Sequence, residues 1–398
     1  MSALHRGKRA AGRSGLVMAG LVAAAGLLAA ACGSTAAPAP SGATTAAAVP
    51  SSPLGTAVAS KSAAWATVVM GGSAAQHNNF WQLFVRPAGS PRWELVTPPG
   101  TADNGGLVVA PASGAGLITA FRPSQLLTYT PLSQTSDAGR TWSAISPFDA
   151  ALASTPAAMA VRPGGDQLIV LNASGTAEET TADSGAWHTV ATTRTVAATP
   201  AGRRCGLTAL TAVAWPAGVP LLAGACSRAG TAGIFARQNG AWQAAGPALP
   251  ANLAGQAVSV SRIAVAGSQT VALLTVGTGR TARLAAAWSA DGTARWTISP
   301  PLALDGTGPA SASFGPGGSV AVMTNTRQGA VIASSESSWH QLPALPPGTA
   351  TLAPGGGGQV DALAVHGSTL TVWQHSSGAA TWTETQVIKV PIQYGSSS

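Results

Sequence analysis

Residues able to carry out chemistry are few in this 398-residue chain, and they stand apart from one another. There are 13 Asp plus Glu, six His and two Tyr, Tyr129 and Tyr394. No GxSxG elbow, HExxH helix or glycine-rich phosphate loop occurs, so the sequence offers no nucleophile beside a base and no spaced set of metal ligands. His188 and His340 each follow a tryptophan directly, which argues for strand positions rather than ligands. We therefore expect no catalytic residues, no metal and no cofactor. Arginine is the abundant charged group, 18 beside 3 Lys. Guanidinium groups on converging loops would favour carboxylate, sulfate or phosphate through bidentate charge-assisted bonds. Among the cysteines, Cys205 and Cys226 form an even pair at the ends of two apolar runs, Gly206 to Trp215 and Val219 to Ala225, joined by a Pro-Ala-Gly turn. Neither sits in a CxxC or beside a His, so a disulfide stapling a hairpin is expected rather than redox or metal chemistry.

The third cysteine has another setting. Arg6, Lys8, Arg9 and Arg13 form a basic segment before an apolar run from Gly15 to Ala31, the pattern of an export signal. The run Leu28-Ala29-Ala30-Ala31-Cys32-Gly33 resembles a bacterial lipobox, with Ala29 where that family prefers Leu. The resemblance implies a signal peptide over 1–31, cleavage before Cys32 and lipid on its thiol. The excess of Arg over Lys and the Ala/Gly bias fit an actinobacterial-type lipoprotein. An Ala/Pro/Ser/Thr-rich linker over 32–54 is too poor in large apolar groups to pack and suits a tether, leaving 55–398 as the folded domain. The implied location is the extracytoplasmic face of the cell membrane. Removing the signal leaves 17 basic against 13 acidic residues, a net charge of +4 rather than +8. No basic run interleaved with aromatics remains, so nucleic-acid binding is not expected.

The elements that position these groups follow from composition and repetition. With 46% hydrophobic but 9% charged residues, 48 Gly and 28 Pro, the chain is neither a coiled coil nor a charged disordered segment. Beyond the signal its apolar runs are too short to cross a membrane as helices. Trp93, Trp142, Trp187, Trp242, Trp296, Trp339 and Trp382 each follow a small polar turn, at spacings of 49, 45, 55, 54, 43 and 43 residues. Around each lie short β-type runs, such as those over 157–161, 167–171, 176–181 and 187–190, with no segment of helical period between them. Four strands per repeat of this length predict an all-β fold, a seven-bladed β-propeller with four-stranded antiparallel blades, acting as a monomer.

The clearest turn is Thr135-Ser136-Asp137-Ala138-Gly139-Arg140-Thr141-Trp142, which resembles the Asp-box (BNR) repeat of sialidases and other propellers. Degenerate copies are Thr181 to Trp187, containing Asp183, and Ser289 to Trp296, containing Asp291. The residue types imply a structural role: Asp and Ser/Thr oxygens satisfy loop amides, Gly permits positive φ and Trp packs at the sheet contact. Phe121-Arg122-Pro123-Ser124 resembles the sialidase FRIP motif in two of four positions, but the tyrosine, glutamate and further arginines that such chemistry needs are missing from a comparable pattern.

In a four-stranded meander the turns between strands two and three share an end with the blade-to-blade connections, opposite the Asp-box turns. Those corners carry His77, Arg122, Arg228, Arg280, Arg327 and His366, with Asn172 and Ser174 in the third repeat. Arg194, Arg203 and Arg204 add to that end, whose acids are mainly Asp103, Asp149 and Asp305. Arg122, Arg228, Arg280 and Arg327 are therefore the expected ligand-binding residues. The sequence points to a propeller that binds a ligand or partner, such as an anionic glycan or an envelope protein. A glycan-acting hydrolase or lyase of the sialidase type is the alternative.

Overall fold

The computed structural model describes residues 56–60, 62–72, 79–99, 101, 106–121, 132–144, 152, 155–181, 186–266, 268–293, 295–303, 309–334 and 337–391. The expected signal segment, Cys32 and the linker lie outside the described residues. Among the described residues no helix is long and apolar enough to cross a membrane.

The described strands fall into successive antiparallel meanders. The first holds β1 (Thr56–Ala59), β2 (Ala63–Gly71), β3 (Asn79–Pro87) and β4 (Glu94–Leu95). The second holds β5 (Leu107–Pro111), β6 (Leu117–Phe121), β7 (Leu132–Thr135) and β8 (Ser143–Ala144). The third holds β9 (Ala158–Val161), β10 (Gln167–Leu171), β11 (Thr176–Thr181) and β12 (His188–Thr192). The fourth holds β13 (Leu207–Ala214), β14 (Leu221–Cys226), β15 (Gly233–Gln238) and β16 (Ala241–Ala244). The fifth holds β17 (Val258–Ala266), β18 (Gln269–Val276), β19 (Arg283–Ser289) and β20 (Thr297–Ile298), with β21 (Leu302–Ala303) also paired to β19. The sixth holds β22 (Pro309–Phe314), β23 (Val320–Thr324), β24 (Gly329–Ile332) and β25 (His340–Gln341). The last holds β26 (Thr349–Pro354), β27 (Val360–His366), β28 (Thr369–His375) and β29 (Thr383–Lys389).

Apolar clusters join each meander to its sequence neighbour, and a further one joins the last to the first, so the sheets stand in a ring as the blades of a β-propeller. The second strand of a blade is covered on both faces. That is why β6 and β23 are buried throughout and read as mostly apolar runs with one Thr each, without the alternation of a half-exposed strand. Blades that radiate from an axis leave a gap that widens outward. Alanines such as Ala110, Ala212 and Ala312 fill its narrow inner part, and the repeat tryptophans fill its wide outer part.

The repeat indoles also need acceptors, and at Trp142, Trp242, Trp296 and Trp339 the preceding blade supplies one. Trp142 Nε1 donates to the Val96 carbonyl at 2.9 Å, Trp242 to Val190 at 3.2 Å, Trp296 to Ala245 at 2.6 Å and Trp339 to Pro300 at 3.0 Å. In each pair the acceptor lies in or just after the fourth strand of the blade before. Trp93 stands in the first blade, and its indole donates instead to Asp361 Oδ2 on β27 of the last blade at 2.8 Å. Asp361 is almost wholly buried and also accepts from Arg86 Nη1 and from Gln359 Nε2. The Arg86 guanidinium lies 5.3 Å from the centre of the Trp93 ring, and Gln386 on β29 binds both the N–H and the carbonyl of Trp93, at 2.9 and 2.8 Å. The first and last blades are each built from one end of the domain, so side chains close this seam in place of a strand shared within one blade.

One expectation needs correction: helices do interrupt the strands. α1 (Thr193–Ala197) and α2 (Pro200–Cys205) connect the third and fourth blades. Thr192 and Thr195 form a reciprocal capping box for α1; Thr199 caps α2, with Pro200 in its first turn and Gly206 in the left-handed conformation ending it. Segments of five and six residues are too short to show a helical period, so periodicity does not reveal them.

Cys205 at the end of α2 is joined to Cys226 at the end of β14, with Cα atoms 5.2 Å apart. Closing a loop with 21 residues of sequence separation should stabilise the native state by roughly 3 kcal/mol. Replacing both cysteines by Ser should lower the denaturant midpoint accordingly while leaving the far-ultraviolet circular dichroism unchanged. Two free thiols in the native protein purified under oxidising conditions would show that the staple is not made.

Candidate functional site

The Asp-box turn is built as its residue types require. Thr135 Oγ1 donates to Asp137 Oδ1 at 2.8 Å and accepts from the Gly139 N–H at 2.9 Å. Thr141 contributes its N–H to Oδ1 at 3.0 Å and its hydroxyl to Oδ2 at 2.7 Å. Gly139 has a φ of 82°, and a Cβ there would meet Val96 of the preceding blade at 2.6 Å. Both oxygens of the Asp137 carboxylate are thus engaged in holding a turn. The copy at Asp291 is one residue tighter: Gly292 N–H donates to Ser289 Oγ at 2.9 Å, and Thr293 N–H to Asp291 Oδ1 at 2.8 Å. Asp183 lies outside the described residues, whereas Trp187 packs with the cluster between the second and third blades.

The structure distributes the expected arginines over equivalent turns. Arg228 follows β14, Arg280 lies in the short 3-10 turn between β18 and β19, and Arg327 lies between β23 and β24. These are the strand-two to strand-three turns of the fourth, fifth and sixth blades, and Arg122 falls outside the described residues. Arg228 and Arg327 are exposed; Arg327 Nη1 donates to the Thr349 carbonyl at 2.9 Å.

A different feature occupies the axis. A cavity of about 770 Å³ is enclosed by the first strands of the blades, β5, β9, β13, β17 and β22, together with Val58 and Ser60 of the first blade. The last blade contributes nothing to its walls, because β1 crosses in front of β26. Val58 pairs with Phe314 of β22 in parallel register, Ala57 N–H donates to Ser313 Oγ at 2.9 Å, and β26 is buried along its whole length.

Two of the cavity strands carry a register shift near the middle, between Leu210 and Ala212 in β13 and between Val260 and Arg262 in β17. A bulge of this kind re-aims side chains. Thr211 and Ser261, the residues skipped by the ladder, both line the cavity, and their hydroxyls donate to the Val260 and Leu273 carbonyls.

The ionisable groups on the cavity wall are Arg162 and Arg262. Arg162, at the end of β9, pairs with Asp166 at 3.1 Å on the exposed rim. Arg262, in mid-strand on β17, reaches over to the sixth blade. Its Nη1 donates to the Ala312 carbonyl, and its guanidinium carbon lies 5.5 Å from the centre of the Phe314 ring. Among the described residues it has no carboxylate partner. Desolvation lowers its pKa from 12.5 to about 10, so the group stays cationic at neutral pH. Sequence reasoning searched the loops and passed over Arg262. The available signal was a lone charge in the apolar run Val258-Ser259-Val260-Ser261-Arg262-Ile263-Ala264-Val265-Ala266, a strand otherwise suited to complete burial.

No family model matches the chain, and no curated protein does. Solved structures do. A protein from Lactobacillus plantarum superposes with a TM-score of 0.50 at 10% identity, over 83% of this chain and 97% of that one. TolB from Acinetobacter baumannii gives 0.41 at 11% identity over 82% of this chain, which spans 65% of TolB. Apo AztD from Citrobacter koseri gives 0.45 at 10% identity, over 85% and 87% of the two chains.

The Asp137 geometry makes a pH prediction. Its hydrogen bonds, first those from Thr141, hold the carboxyl at about 2 against an ordinary 3.8. A lowered native pKa means the stabilisation is complete above about pH 4 and is lost as the pH falls toward 2. A carbon-detected NMR titration should show this midpoint for Asp137, and Thr141→Val should move it back toward 3.8. A native midpoint near 3.8 in the unsubstituted chain would contradict the turn geometry. The blades described above make the fold that of a β-propeller.

Proposed function

We propose that this chain is a lipid-anchored extracytoplasmic β-propeller, a ring of seven blades tethered through Cys32, whose task is to bind an anionic ligand or partner rather than to catalyse a reaction. The observation that carries this reading is the axial cavity. Its volume of about 770 Å³ suits a small organic ligand, and of the two arginines on its wall Arg162 pairs with Asp166 at the rim while Arg262 has no carboxylate partner among the described residues. An acid–base mechanism of the sialidase type needs titratable partners at such a place. The anchor is supported by the lipobox-like run ending at Cys32 and by the uncharged tether after it.

A second surface deserves a place in the reading. Arg228, Arg280 and Arg327 occupy equivalent turns of three consecutive blades, a placement suited to an extended polyanion such as an acidic or sulfated glycan. Together with Arg122 these remain the proposed residues for a partner on that end of the ring.

The two surfaces separate in one experiment on the purified exported chain, using a sulfated oligosaccharide and a panel of small organic anions as probes. Small anions that raise the melting temperature equally in the unsubstituted chain and in Arg228→Ala/Arg280→Ala place binding in the cavity. Oligosaccharide binding that weakens with salt and is lost in the double variant places it on the arginine turns. Failure of both probe classes would refute the binding reading. In detergent phase partition, the unsubstituted protein should enter the detergent phase and Cys32→Ser should remain aqueous; equal partition of the two would refute the lipid anchor.

A further inference from the structure

We propose that Arg262 is the anchoring residue of a binding site for a single organic carboxylate carrying an apolar body, held within the axial cavity. This rests on the cavity reading above and names its ligand class.

The argument starts from the cost of the arrangement. A guanidinium enclosed by protein and lacking an acidic partner destabilises the fold, because desolvation is not offset by a counter-charge. The contacts Arg262 does make fix the group without neutralising it: one N–H to the Ala312 carbonyl and one face toward Phe314. Nε and Nη2 have no partner among the described residues. Those two atoms form the edge that binds a carboxylate in bidentate fashion.

The remaining wall decides the rest of the ligand. Half-buried side chains on the cavity wall include the apolar Val109, Ala158, Ala264, Val265 and Pro309. The hydroxyls at the two bulges, on Thr211 and Ser261, already donate to carbonyls. Arg162, the other cation on the wall, is neutralised by Asp166. One unneutralised positive charge in an apolar chamber matches one negative charge on an apolar molecule. A dianionic phosphate or a polar sugar acid would leave groups unsatisfied. Trp215, 4% exposed, adds further apolar surface to the same wall.

Medium-length carboxylic acids and the free C-terminus of an apolar peptide share this chemistry. Isothermal titration of the full exported chain with phenylbutyrate and with the isosteric phenylbutyramide tests it directly. The acid should bind about tenfold tighter than the amide or more, since only the acid forms the charge-assisted pair. Arg262→Met should erase that difference, leave amide affinity unchanged and leave the melting temperature unchanged or raised. Arg262→Lys should keep part of the preference. A free Ala-Val-Leu tripeptide that binds more tightly than phenylbutyrate, and loses this on amidation, would identify peptide termini as the source; the reverse order would identify small acids. Equal affinity of acid and amide in the unsubstituted chain would overturn the role of Arg262 while leaving the cavity as a binding site. Binding of neither probe would overturn both. A preference that persists in Arg262→Met would also overturn the assignment, and the comparison in the unsubstituted chain stands whether or not that variant folds.

Discussion

Flat sheets set radially around an axis diverge, and the wedge between them must be filled and its polar groups satisfied. In this protein the indole at the start of each fourth strand does both. Its ring fills the outer part of the gap, and in the pairs at Trp142, Trp242, Trp296 and Trp339 its N–H reaches a carbonyl of the blade before. A chain of such contacts has a beginning, and at the beginning there is no preceding blade in sequence. Asp361 supplies the acceptor at that seam. A carboxylate there imports a buried charge, and Arg86 and Gln359 follow from that, since an unpaired buried carboxylate would be strongly destabilising. The polar cluster at the seam is thus a consequence of closing the ring.

Closure also shapes the axis. β1 joins its own blade on one side and pairs with β22 on the other, so it screens β26 from the centre. The cavity is then walled by the inner strands of fewer blades than the ring contains, and the small side chains demanded by the narrow inner wedge leave it roomy. Bulges in β13 and β17 turn Thr211 and Ser261 into this space beside Arg262. The site is therefore placed by features of the inner strands, while the Asp-box turns act at the rim and hold their own loops.

Much of this architecture is legible in the sequence, because the wedge repeats and so does the residue that fills it. The tryptophan spacing gave the blades, and in the third repeat the strands expected over 167–171 and 176–181 coincide with β10 and β11. The strand expected at 187–190 runs later, from His188 to Thr192, because the cap of α1 lies at its end. The turns bearing Arg228, Arg280 and Arg327 fell where alternating strand direction required. The seam was not legible: Arg86, Trp93 and Asp361 are brought together from opposite ends of the domain, and no local pattern marks such a contact. Arg262 was obscured for a related reason. Its neighbours in sequence describe an ordinary buried strand, and only the ring reveals that this strand borders a space.

The central claim is that the Trp93 indole and Asp361 act as one latch that closes the ring. A double-mutant cycle with Trp93→Phe and Asp361→Ala, followed by denaturant unfolding, measures their interaction while cancelling the separate effects of each substitution. The account predicts a coupling free energy of about 1 kcal/mol or more, with each single variant destabilised. Additive effects, within about 0.3 kcal/mol, would show that the seam is held by packing alone and would contradict it.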